Sequence, residues 1–165
     1  MFLVAIFILA SVVNVMTEEQ KDTIKARNIP GINVPDPYSK GCVSCHKNNP
    51  EMRFDGRLSA ILHSWNDAVD AKVLAKAQTM VPEGVILQGK HAFRVTPETS
   101  IPEACNKCHG KIKSAPRLFQ LLHKIHLTGN QDNLFMTKFQ GECTYCHKFD
   151  TRKGIWSIVS AKEGE

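Results

Sequence analysis

The first sixteen positions, MFLVAIFILASVVNVM, are uncharged and mostly apolar. A bilayer span takes about 20 such residues. The pattern predicts a hydrophobic helix that continues through Thr17-Glu18-Glu19-Gln20 towards Ile29, where Pro30-Gly31 stops it. A signal-peptide core is the rival reading. No basic stretch precedes the run and no good small-X-small cleavage site follows it, so an uncleaved helix or anchor over residues 1–29 is expected. Lys21, Lys25 and Arg27 are offset by Glu18, Glu19 and Asp22, so flanking charge does not fix its orientation.

Pro30, Pro35 and Pro37 then predict an extended linker over residues 30–40, ahead of one domain spanning residues 41–165. Leu58, Ile61, Leu62, Trp65, Val69 and Val73 recur at helical spacing. They predict one helix over residues 57–78, ended before Pro82-Glu83-Gly84. Residues 85–104, with Pro97 and Pro102, read as irregular. A second helix is expected to start at Pro116 with Ser114 as a nearby cap. It runs through Leu118, Leu122 and Ile125 to Leu127, and Thr128-Gly129-Asn130 ends it. A short strand is expected over residues 155–159. The expected fold class is mostly α and irregular, with little sheet.

The pentapeptide Cys-X-X-Cys-His occurs at Cys42-Val43-Ser44-Cys45-His46, Cys105-Asn106-Lys107-Cys108-His109 and Cys143-Thr144-Tyr145-Cys146-His147. This is the attachment signature of c-type haem. Two thiols form thioethers with the two vinyl groups of one porphyrin, and the adjacent histidine ligates iron from one side. On a helical turn, positions i, i+3 and i+4 share a face, so all three groups can meet one flat macrocycle. Zinc is the competing reading, because paired cysteines also build four-coordinate sites. Each pair here is followed at once by histidine, and three pairs divide badly into four-thiolate sites. All six cysteines are consumed by the motifs, so none is left over for a disulfide or a catalytic thiol.

Each iron needs a second axial group or keeps an open position. Four histidines lie outside the motifs: His63, His91, His123 and His126. His123 and His126 sit on the second expected helix, about 60° apart around its axis. They share a face with Phe119 and are expected to ligate two different irons. The third ligand is His63 or His91. Met52, Met80 and Met136 are rivals that would raise a site's potential; histidine is expected at all three because there are enough of them.

Composition changes this picture little. Only 7% of the 165 residues are aromatic, and three porphyrins would supply the missing bulk. The formal charge is +5. Haem propionates would add roughly −6 and three ferric centres roughly +3, so the loaded protein would lie near neutrality. The basic residues form no single stripe, which excludes a nucleic-acid footprint.

Through its three motifs, residues 42–147 resemble the multihaem c-type cytochromes. The strings Leu121-Leu122-His123-Lys124-Ile125-His126 and Phe139-Gln140-Gly141-Glu142 before the third motif resemble small bacterial and archaeal members with closely stacked haems. Some relatives in that group polymerise into extracellular filaments. The resemblance implies a small domain organised around three covalent haems, attached outside the cytoplasmic membrane. It implies electron transfer between redox donor and acceptor proteins, in a membrane-anchored complex or a self-associated filament. The competing class is a small haem reductase with one open iron, which four distal candidates for three irons make unnecessary.

Overall fold

Helix formation in the middle of the chain follows the apolar spacing, but in two pieces. The computed structural model describes residues 27–165; the hydrophobic helix expected over residues 1–29 falls almost wholly outside them. No helix among the described residues is long and apolar enough to cross a membrane. Helix α1 is Cys42–Cys45, and strands β1 (Asn48–Asn49) and β2 (Phe54–Asp55) form a small antiparallel pair after it. Helices α2 (Leu58–Ser64) and α3 (Ala71–Gln78) stand where one continuous helix was expected.

The break has local causes. Asp70 accepts hydrogen bonds from the backbone N–H groups of Lys72 (2.9 Å) and Val73 (3.1 Å), which makes it an N-cap and starts a new helix. Just before it, the Val69 N–H turns away to donate to the Gly89 carbonyl at 2.8 Å. Val69 and Val73 keep the apolar period across a point where the backbone does not.

Helix α4 (Glu103–His109) carries the second motif, and α5 (Leu118–Leu127) follows it. Helix α5 begins two residues after Pro116, and its N-cap Arg117 makes no side-chain cap; Ser114 plays no such part. Its end is as expected, at Thr128. A further helix, α6 (Leu134–Lys138), is capped by Asn133, whose side chain accepts from Phe135 and Met136. Strand β3 (His147–Asp150) pairs antiparallel with β4 (Ile155–Ile158), with His147 opposite Ile158. The expected strand is therefore half of a hairpin. Mixed helix and coil with small sheets is the outcome.

Buried apolar side chains are few. Leu62, Val95 and Ile101 form a cluster, against which Cys42, Leu58, Trp65 and Cys105 pack. Leu118 and Leu121 turn the inner face of α5 inwards. No side chain among the described residues is fully enclosed, while Ile86, Phe54, Trp156 and Phe119 are exposed. Exposed large apolar groups in such number are the informative observation for a small domain.

The proline-rich stretch 30–40 packs on the third motif. Asp36 and Lys148 form an ion pair at 2.8 Å with both side chains mostly buried. Tyr38 lies 4.2 Å from Tyr145 and 6.0 Å from Phe139, ring centre to ring centre. Gly41 has φ +60°, and a Cβ there would lie 3.1 Å from the Val159 carbonyl, so the entry to α1 runs tight against the C-terminal segment.

Candidate metal centres

The three motifs adopt short helical turns. The first is α1, and the second is the C-terminal part of α4. The third is a 3-10 turn over Cys143–Tyr145, capped by the Glu142 carboxylate, which accepts from the Thr144 N–H at 3.2 Å and hydroxyl at 2.9 Å. Arg27 pairs with the same carboxylate.

All six cysteines are free thiols. Cys45, Cys108 and Cys143 are exposed, and Cys42, Cys105 and Cys146 are set deeper. Burial pushes the Cys42 thiol up to about 11, with the nearby Cys146 and Cys105 sulfurs adding to it. Burial also raises Cys45, Cys105 and Cys146.

The histidines meet in pairs, and each pair joins a motif histidine to one from elsewhere. His46 stands opposite His126 with ring centres 6.2 Å apart. His109 stands opposite His91 at 6.1 Å, and His147 opposite His123 at 5.8 Å. With a metal–nitrogen bond of about 2.0–2.1 Å and a ring centre about 1.2 Å behind the nitrogen, two imidazoles facing one ion from opposite sides stand about 6.4 Å apart. The observed separations lie just inside that value. Direct contact between near-parallel rings would bring them to about 3.5–4 Å.

Hydrogen bonds select the tautomer. A backbone carbonyl only accepts, so Nδ1 must carry the proton wherever it meets one. His46 Nδ1 donates to the Gly56 carbonyl at 3.1 Å, and His126 Nδ1 to the Leu122 carbonyl at 2.9 Å. His91 Nδ1 donates to Phe93 at 3.0 Å, and His109 Nδ1 to Pro116 at 2.8 Å. Each leaves Nε2 with its lone pair free, the form that ligates a metal. Burial holds the His46 pKa below its ordinary value, with the Gly56 bond opposing, so this ring is neutral at pH 7.

His123 and His126 lie on α5 and face two different motif histidines. His91 leaves an irregular segment to meet α4, steadied by its own N–H donating to the Trp65 carbonyl at 2.8 Å. His63 is exposed near the end of α2 and stands in none of these pairs. Among the methionines, Met136 is exposed and reaches Gly141, where a Cβ would lie 3.0 Å from its sulfur. The four carbonyls that orient the rings, of Gly56, Phe93, Pro116 and Leu122, were invisible to residue-type reasoning because any residue supplies a carbonyl.

Among the described residues no three His, Cys, Asp or Glu side chains converge as a metal-binding group. The donors come instead as opposed pairs, each with two thiols adjoining one member. That set fits a c-type haem, whose porphyrin nitrogens fill the four equatorial positions and leave two axial ones to the protein. Comparison with protein-family models, curated proteins and solved structures finds no match.

Proposed function

We propose that this chain is a three-haem c-type cytochrome that carries electrons outside the cytoplasmic membrane. The observation that carries the reading is the three-fold pairing of a motif histidine with a second histidine at 5.8–6.2 Å. Cys42, Cys45, Cys105, Cys108, Cys143 and Cys146 would hold the haems covalently. His46 with His126, His109 with His91 and His147 with His123 would supply the axial nitrogens. Each bound haem supplies a one-electron ferric–ferrous couple.

The chain's own residues do the rest. Backbone carbonyls fix the imidazole tautomers of His46, His91, His109 and His126 and raise their basicity. His123 and His126 lie about 4.5 Å apart along the α5 axis, which favours closely neighbouring centres. Exposed apolar side chains such as Phe119 are suited to covering a porphyrin face. Two histidines at every centre leave no coordination position for a substrate, which disfavours a reductase with an open iron. Redox donor and acceptor proteins are the partners, in a membrane-anchored chain or a filament built of copies of this subunit.

The test is intact mass under denaturing conditions, with an alkaline pyridine spectrum. Three haem masses above the 18.4 kDa polypeptide and a c-type spectrum are expected. A colourless, zinc-containing protein would overturn the reading. Negative-stain microscopy separates the two settings: filaments for a self-assembling subunit, discrete particles for an anchored one.

A further inference from the structure

The three histidine pairs differ in one respect that distance does not reveal. The rings of His91 and His109 are 14° from parallel, and those of His123 and His147 are 26° from parallel. The rings of His46 and His126 cross at 84°. Each ring of the crossed pair is pinned by a backbone acceptor: His46 by the Gly56 carbonyl at 3.1 Å, His126 by the Leu122 carbonyl one turn back on its own helix at 2.9 Å. Phe135 also stands edge-on to His126, with ring centres 5.6 Å apart and planes at 82°, against rotation of that ring. Gly56 is itself seated tightly. A Cβ there would come within 2.8 Å of the Lys47 carbonyl, one residue past His46. Its carbonyl can approach His46 because the residue has no side chain.

We infer that the first-motif centre is electronically distinct from the other two, and that Gly56 and Leu122 are positioning residues which hold its axial imidazoles crossed. This rests on the three-haem reading above. In a low-spin ferric ion each imidazole raises the iron dπ orbital perpendicular to its plane. Parallel rings raise the same orbital and split the pair. Crossed rings raise both alike, leaving them nearly degenerate and the magnetic response strongly anisotropic. The first-motif centre therefore has a single low-field EPR feature, and the other two have ordinary rhombic three-line spectra.

The experiment is frozen-solution EPR of the fully ferric holoprotein, of two ligand variants and of Gly56→Ala. Wild type is expected to give one-third of its low-spin iron in the low-field feature and two-thirds in rhombic signals. His126→Ala should abolish the low-field feature alone. His123→Ala should remove half of the rhombic intensity and keep the low-field feature. Gly56→Ala should convert the low-field feature towards rhombic while all three haems stay low-spin, which a purely structural role for Gly56 would not do. Three covalent low-spin haems that are all rhombic, or a His126→Ala protein that loses rhombic intensity instead, would overturn this inference and leave the three-haem reading standing. Absence of covalent haem by denatured mass would overturn both.

Discussion

Helix α5 and the irregular segment around His91 both deliver histidines to motif histidines, by opposite means. Helix α5 carries His123 and His126 three residues apart, and its geometry turns one face towards two centres at once. Its inner face, Leu118 and Leu121, ties that face to the core. The segment before α4 carries a single histidine, placed by two backbone hydrogen bonds, His91 N–H to Trp65 and Nδ1 to Phe93. One secondary-structure element thus controls two proposed irons, while a loop held by local bonds controls one.

The largest effect should come from removing ligands on each side of this comparison. The His123→Ala/His126→Ala double variant should turn two of three haems high-spin or weakly ligated, and His91→Ala only one, with all thioether bonds intact. Quantitative EPR of the ferric proteins checks the ratio. Equal effects would break the comparison.

Next is the support of α5. Leu121→Ala removes a buried side chain from its inner face and should destabilise the domain by about 2–5 kcal/mol, towards the low end because the surrounding core is small. Denaturant unfolding followed in the Soret band reads this directly. Both α5-linked centres should loosen before the His91–His109 centre does.

A smaller effect is expected at the end of α5. Lys76 Nζ reaches the Thr128 carbonyl at 3.1 Å and the Ile125 carbonyl at 3.4 Å, sharing both acceptors with Asn133 Nδ2 at the negative end of the helix. Lys76→Met should cost about 0.3–1 kcal/mol, measured by thermal unfolding. The smallest is His63→Ala. His63 is exposed and unpaired with any motif histidine, so spectra and midpoint should stay within error.

The same contrast explains what could be read from the chain. Helix α5 was legible because Leu118, Leu122 and Ile125 repeat at helical spacing and Thr128-Gly129 ends the run. The choice between His63 and His91 was not, since it depends on a loop meeting α4 through backbone bonds that carry no residue signature. The division between α2 and α3 was hidden by Val69 and Val73, which continue the apolar period; Asp70, a strong N-cap type, was the available signal. Strand β3 was masked because it begins at His147, inside a motif read for its chemistry. The packing of residues 30–40 onto the third motif rests on Asp36 and Lys148, a long-range pair that local composition cannot foresee.

The central claim is that three irons are each held between two histidines of one chain. Near-infrared magnetic circular dichroism of the ferric holoprotein tests it most directly, because the charge-transfer band of low-spin haem moves with the pair of axial ligands. The account predicts bis-histidine intensity equivalent to three haems per chain. A histidine–methionine band, or a high-spin component equal to one haem, would contradict it.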